Sequence, residues 1–163
     1  MRISENGKKM IKSFEGLRLK AYKVVSSELY YTIGYGHYGK SVTKDMQITM
    51  SQADKLFDND IFIYERAVQE FKFSFTPNQN QFDALTSFCY NLGVNILADF
   101  KGMSANQVAY NMLLYVNSGG TRLQGLVTRR KKEVELFNTP INPKMNIVKE
   151  VALQEYSEKG SFY

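Results

Sequence analysis

A short segment near the N-terminus brings together side chains that could carry acid catalysis. Residues 14–39 contain Glu15, a tyrosine-rich run, Thr32 and the glycine-framed His37. Apolar residues before Glu15 recur at helical spacing and Gly16 follows it directly, so we expect Glu15 at a helix end. A carboxyl group there, facing an apolar hairpin, would be partly desolvated, which favours the protonated form that a general acid needs. A solvated glutamate at a helix terminus is the alternative.

The elements around this segment are predicted from capping residues and periodicity. Ser4 can cap the helix that ends at Glu15. From Leu19 to Tyr35 the Tyr, Val, Thr and Ile residues alternate with period two, broken around Ser26 and Ser27, which predicts a β-hairpin. The glycines of residues 34–39 then turn the chain.

Helical patterns dominate the rest of the chain. The predicted helices begin at a capping box of Ser51 with Asp54, at Thr76 and Pro77, at a cap of Ser104 with Gln107, and at about Leu126. The first extends to about Phe71, the second ends at Gly93 and the last reaches Phe137. One hairpin followed by several helices predicts an α+β fold, with a small β lobe, a larger helical lobe and a cleft between them. We expect a domain over 1–138 and a linker or accessory tail over 139–163, where two prolines break the pattern.

Composition excludes several classes of protein. A chain of 163 residues with one cysteine and one histidine has no internal disulfide and no histidine-rich metal site, and we expect no cofactor. The net charge of +5 suggests an anionic partner, such as nucleic acid, a membrane surface or a bacterial cell wall. A nucleic-acid-binding domain is disfavoured because the lysines are spread along the chain and no recognition motif is present. The chain shows neither a signal peptide nor an apolar run of membrane-spanning length, so we expect it to remain in the cytoplasm where it is made, without membrane insertion.

Asp60 stands out because it lies in the apolar stripe of the second predicted helix. A carboxylate in such a stripe needs a partner.

Several motifs resemble the bacteriophage-type lysozymes. A Glu and a Gly end the first helix, and a hairpin leads into TIGYGH at residues 32–37. The similarity continues through NQFDALTSFCYNLG at 80–93 and through SGG and GLVTRR between 118 and 130, and it covers about residues 3–138. It implies a metal-free and cofactor-free muramidase that hydrolyses the bond between N-acetylmuramic acid and N-acetylglucosamine in bacterial peptidoglycan.

The same resemblance implies roles for individual residues. Glu15 would be the general acid, and Thr32 would position the attacking water or a second group. Either Arg129 or Arg130 would reach Glu15 and hold it, since the helical stripe favours Arg130 and counting back from Phe137 favours Arg129. The substrate groove would be lined by Tyr90, Asn91 and Leu92. His37 would be the partner of Asp60, and we predict a structural ion pair between them.

The chain departs from the family at the second catalytic group. Val24 stands where the family has an acidic residue, and the nearest carboxylate in this segment is Glu28. In a regular strand Glu28 would lie about 13 Å from Thr32, so a bulge or loop would have to close the gap. A solvated Glu28, with Glu15 and Thr32 carrying the reaction, is the equal alternative.

Two further functions fit this departure. A peptidoglycan-binding module could have lost hydrolysis, and a lytic transglycosylase would need only one acid and add no water. For the hydrolase, we expect a monomer that accumulates in a host cytoplasm until lysis or is delivered on a virion.

Overall fold

The computed structural model describes residues 1–141, and the predicted tail beyond them lies outside the described residues. Five α-helices, five short strands and one 3₁₀ helix are present in this part of the chain. Their bounds are α1 Glu5–Glu15, β1 Arg18–Tyr22, β2 Tyr31–Gly34, β3 His37–Gly39, α2 Met50–Glu70, α3 Gln79–Leu92, the 3₁₀ helix Val94–Phe100, α4 Ala105–Met112, β4 Asn117–Ser118, β5 Thr121–Arg122 and α5 Gln124–Asn138. None of these helices is both long and apolar enough to cross a bilayer.

The small lobe is a three-stranded antiparallel sheet in the order β1-β2-β3. The predicted hairpin is therefore correct in position but incomplete, because His37–Gly39 pairs with β2 as a third strand. The predicted break at Ser26 and Ser27 is also longer than expected, since no strand covers residues 23–30. The α+β class predicted from the sequence is confirmed.

The large lobe is built around α3. Eight consecutive residues of this helix, 82–89, are buried. Because burial extends to every face of the helix, α3 lies inside the lobe and is packed on all sides. Helices α1, α2, α5 and the 3₁₀ helix all contact it. Its buried polar side chains form hydrogen bonds; for example, the Thr86 hydroxyl donates to the carbonyl of Phe82 at 2.8 Å.

The N-terminus of α1 is tied to this core by two buried carboxylates. Ser4 caps the helix as predicted, its hydroxyl accepting the Gly7 N–H at 3.1 Å. The Ser4 N–H donates to Asp83 at 3.0 Å, and the Ile3 N–H donates to Glu65 at 2.8 Å. A Cβ at Gly7 would lie 2.7 Å from Ile3 and 2.8 Å from Asp83, so this close approach requires glycine. Helix α1 therefore projects from a fixed base towards Glu15.

Two predicted helix starts are wrong by about one turn or less. The capping box of α2 is formed by Thr49 with Gln52, not by Ser51 with Asp54. Asn78 with Gln81 caps α3, so the predicted start at Thr76 and Pro77 is too early. The cap of Ser104 with Gln107 at α4 is confirmed.

Candidate active site

Glu15 lies at the last position of α1, at the edge of a cleft between the sheet and the helical lobe. Gly16 ends the helix with φ of 71°, a conformation that favours glycine, and its N–H donates to the Lys12 carbonyl. The cleft has a volume of about 380 Å³. Residues from both lobes line it: Glu15, Gly36, His37, Tyr38, Asp60, Ile63, Tyr64, Tyr90 and Asn91.

The Glu15 carboxylate is held by Arg129 from α5. Arg129 Nη1 donates to Glu15 Oε1 at 2.7 Å, and the arginine side chain is 7% exposed against 23% for the glutamate. The other oxygen, Oε2, lies on the sheet side, 3.8 Å from where a Cβ at Gly36 would stand. One oxygen is thus fixed by a charged donor, while the other is turned towards the cleft.

The two candidate arginines make different contacts. This resolves which of them reaches Glu15, the alternative that the sequence left open. Arg129 reaches Glu15, and Arg130 donates from Nη2 to Asn91 Oδ1 at 2.6 Å. Burial lowers the pKa of the Arg130 guanidinium to about 10. Arg130 also makes a cation–π contact with Phe88, with 4.6 Å from its guanidinium carbon to the ring centroid.

A buried carboxylate that the sequence analysis missed joins these arginines. Glu133 is fully buried on α5, with Oε1 at 3.1 Å from Arg129 Nε and Oε2 at 3.1 Å from Arg130 Nε. The Ser87 hydroxyl donates to Oε1 at 2.6 Å. Burial raises the pKa of Glu133, and the two arginines oppose that rise. The i, i+3 and i, i+4 spacing from the arginines was a signal that could have identified it.

The sheet side of the cleft carries the predicted contact between His37 and Asp60. His37 Nδ1 lies 2.9 Å from Asp60 Oδ2 and 3.0 Å from Oδ1, so this contact joins β3 to α2. The opposite ring nitrogen lies 3.4 Å from the Ser41 hydroxyl. Both nitrogens of His37 therefore have polar neighbours, which fixes the ring in the cleft wall.

Thr32 is not among the residues that line the cleft and is 7% exposed. It stands opposite Tyr38 in the β2–β3 pair, and directly opposite residues project to the same face of a sheet. Tyr38 does line the cleft, so Thr32 shares its face of the sheet.

Glu28 lies in the loop of residues 23–30 and is likewise not among the cleft-lining residues. Its Oε2 accepts the Val24 N–H at 2.9 Å, and Lys23 donates to its carbonyl at 2.6 Å. The loop that the second-carboxylate hypothesis requires is present, but in this arrangement the carboxylate of Glu28 serves the loop itself.

Of the three residues that the resemblance assigns to a substrate groove, two line this cleft. Tyr90 and Asn91 line the cleft, whereas Leu92 lies outside its lining and is 37% exposed. The Tyr90 hydroxyl donates to the Tyr35 carbonyl at 2.8 Å, and its burial raises its pKa. Tyr64, which the sequence analysis did not single out, packs on Tyr90 with ring centroids 5.1 Å apart.

The cleft offers acid catalysis rather than an evident metal centre. Within residues 1–141, no three His, Cys, Asp or Glu side chains converge closely enough to hold a metal ion. A carboxyl at a cleft edge, beside tyrosines that can pack on a sugar ring and an amide that can bind an acetamido group, suits hydrolysis of a glycan.

Comparison with known proteins agrees with this chemistry. The family model described as phage lysozyme matches residues 12–133. An endolysin of Lactococcus phage c2 is 43% identical over 147 residues, which cover 90% of this chain and 64% of that protein. An endolysin of Bacillus phage PZA is 45% identical over 154 residues, covering 87% of this chain and 58% of that protein. The chain thus spans about three-fifths of the length of these relatives.

A solved structure extends the similarity to the fold. The muramidase domain of SpmX from Asticaccaulis excentricus superposes with a TM-score of 0.75 at 34% identity, covering 85% of this chain and 99% of that one. The small sheet and larger helical lobe are therefore a lysozyme-like arrangement.

Proposed function

The chain belongs to the phage lysozyme family, and from that premise we propose that it is a muramidase of the endolysin type. It hydrolyses the bond between N-acetylmuramic acid and N-acetylglucosamine in bacterial peptidoglycan, and so lyses the cell wall. The observation that carries the proposal is the position of Glu15, at the end of α1 in the cleft with Arg129 at 2.7 Å. The protein acts as a monomer, and its positive charge favours the anionic wall.

In the proposed reaction Glu15 is the general acid. Its proton moves to the glycosidic oxygen as the bond from that oxygen to the anomeric carbon breaks. Oε2 is the oxygen suited to donate, because Oε1 is occupied by Arg129 and Oε2 faces the cleft. A water molecule then attacks the anomeric carbon and releases a proton, which returns through solvent to the Glu15 carboxylate, and the product is a reducing end.

Thr32 is proposed to position that water. It stands opposite Tyr38 in the β2–β3 pair, and Tyr38 lines the cleft. A hydroxyl can accept from the water and donate to the sugar at once, which suits a positioning role rather than a basic one.

Substrate binding is assigned to the helical wall. Asn91 Oδ1 accepts from Arg130, so the amide nitrogen of Asn91 is left to donate to an N-acetyl carbonyl. Tyr90 and Tyr64 present aromatic surface for a sugar ring. Leu92 as a groove residue stays a prediction, and its exposed position makes it suited only to substrate that extends past the cleft.

Glu28 as a second catalytic carboxylate also stays a prediction. Its contact with the Val24 N–H favours the alternative, in which Glu28 stabilises the loop and the reaction relies on Glu15 with Thr32.

The proposal is tested on the products of purified peptidoglycan. Wild type and Glu15→Gln would be incubated with the same walls, new reducing ends counted, and released muropeptides identified by mass. We expect reducing N-acetylmuramic acid ends from the wild type and none above background from Glu15→Gln. A matched control is Glu5→Gln, which changes an exposed glutamate in the first turn of the same helix and should leave activity unchanged.

Two other outcomes would overturn the hydrolase assignment. Anhydromuramic ends would indicate a lytic transglycosylase, in which no water is added. Retention on walls without any cleavage, on several wall types, would indicate a peptidoglycan-binding module.

A further inference from the structure

Glu133 is the one buried carboxylate in residues 1–141 that touches both arginines reaching the cleft. It is fully buried on α5, yet each of its oxygens faces a different arginine. Oε1 accepts a hydrogen bond from Arg129 Nε, and Arg129 Nη1 donates to Glu15. Oε2 faces Arg130, and Arg130 Nη2 donates to Asn91. A single carboxylate thus lies behind both the proposed acid and the proposed substrate amide.

The contacts of Arg129 are directional as well as close. Arg129 Nε bonds Glu133 while its Nη1 bonds Glu15 and its Nη2 donates to the Ser87 carbonyl at 3.2 Å. The planar guanidinium is therefore fixed from three sides, and only one of its contacts is to Glu15. Arg130 pairs with Glu133 Oε2 at 3.1 Å, and its guanidinium carbon lies 4.6 Å from the centroid of the Phe88 ring.

Stability alone gives little reason for such a cluster. Burying charges costs desolvation free energy that their mutual attraction only partly offsets. Replacing a buried ion pair by apolar residues of similar size therefore often leaves stability unchanged or raises it. In this cluster the two arginines contact two residues that line the cleft, Glu15 and Asn91. An apolar core would make no such directional contacts. The cluster orients two side chains that need fixed positions.

We propose that Glu133 is a positioning residue that sets the acid and the substrate-binding amide of the cleft through two separate arms. One arm is Glu133 Oε1, Arg129 and Glu15; the other is Glu133 Oε2, Arg130 and Asn91. The inference rests on the proposed glycosidase function, which gives Glu15 and Asn91 their roles. The first arm governs kcat and the second governs KM.

The test compares Glu133→Gln with Glu135→Gln, an exposed glutamate on the same helix. Steady-state kinetics would use soluble, uncrosslinked peptidoglycan strands, with only the folded fraction counted from circular dichroism. We expect Glu133→Gln to lower kcat on the order of 10- to 100-fold, as a misplaced acid would, and to raise KM roughly fivefold. Glu135→Gln should match the wild type.

The two arms are separated in a second background. In Arg129→Met the first arm is already broken, so adding Glu133→Gln should cause no further loss of kcat but should still raise KM. A merely structural role for Glu133 would instead lower activity by the same factor in both backgrounds, and that result would overturn the inference.

Two milder variants keep the test informative if Glu133→Gln folds poorly. Ser87→Ala removes the hydroxyl that donates to Oε1, so it should lower kcat a few-fold and leave KM unchanged. Glu133→Asp keeps the charge and should recover part of the kcat lost in Glu133→Gln. An unchanged kcat in Ser87→Ala together with no recovery in Glu133→Asp contradicts the inference.

Failure of the inference differs from failure of the proposed function. A wild type that releases no reducing ends overturns the function, and the arms then have no reaction to serve. An active wild type with a folded, fully active Glu133→Gln overturns the positioning role alone.

Discussion

The two walls of the cleft are held in opposite ways. On the helical wall Arg129, Arg130 and Glu133 are buried, and they form ion pairs with one another and hydrogen bonds to Glu15, Ser87 and Asn91. On the sheet side, the loop of residues 23–30 exposes large apolar side chains, with Val24 at 71% and Leu29 at 74%. The groups assigned to proton donation and amide recognition thus lie where the structure is most constrained.

Within residues 1–141, two hydrogen-bonded pairs that involve side chains join the sheet wall to the helical lobe. His37 meets Asp60 of α2, and the Tyr35 carbonyl accepts from Tyr90 of α3. The helical wall is instead held by a buried cluster of charged side chains. If this comparison is correct, changes in the helical cluster should cost far more stability than changes at the junction with the sheet.

The largest effect is expected from Arg130→Met, which removes a fully buried cation from beside Glu133. Removing one partner of a buried ion pair leaves an uncompensated charge, and we expect the free energy of unfolding to fall by about 3–5 kcal/mol. Urea denaturation followed by circular dichroism measures the loss.

Lys131→Met is the matched control, because Lys131 is the exposed neighbour on the same helix. It should change the free energy of unfolding by less than about 0.5 kcal/mol. If Arg130→Met were as mild as this control, the contrast between the two walls would not hold.

A smaller effect is expected at the junction of the walls. Tyr90→Phe removes the hydroxyl that donates to the Tyr35 carbonyl and leaves the ring packing in place. We expect a loss of about 1 kcal/mol in unfolding free energy, the usual contribution of one neutral hydrogen bond. The same denaturation experiment on Tyr110→Phe, at a 66% exposed tyrosine, provides the baseline. A loss as large as that of Arg130→Met would mean that the sheet wall is as firmly fixed as the helical one.

Local patterns predicted well wherever the deciding residues are neighbours in sequence. Ser4 at the cap of α1 and Gly16 at its end follow from side-chain and backbone chemistry alone. At a longer separation, the contact between His37 and Asp60 could be predicted because a carboxylate in an apolar stripe needs a partner and the resemblance to the phage-type lysozymes supplies this histidine.

Predictions failed where packing chooses between equivalent local signals. Thr49 and Ser51 both offer a hydroxyl with a suitable side chain three residues later, and the path of the incoming chain selects Thr49. The third strand could not be seen in the glycine-rich segment, because His37–Gly39 becomes a strand only by pairing with β2.

The candidate site shows the same limit. Arg129 and Arg130 are adjacent, and a helical stripe cannot tell which one faces Glu15 when both are buried. Glu133 was overlooked because a glutamate in a run of lysines and arginines is usually a solvated surface residue. Its burial depends on α3 covering that face of α5, which is a property of the whole fold.

The central claim, that one carboxylate on the fixed wall carries the acid chemistry, is tested most directly by comparing Glu15→Gln with Glu28→Gln. Both variants would be assayed on the same purified peptidoglycan by the rate of appearance of reducing ends. We expect Glu15→Gln to lower the rate at which reducing ends appear by at least about 100-fold, because general acid catalysis accelerates such reactions on that order. The rate of Glu28→Gln should stay within about threefold of the wild type. Equal and severe losses in both variants, or substantial activity in Glu15→Gln, would contradict the account.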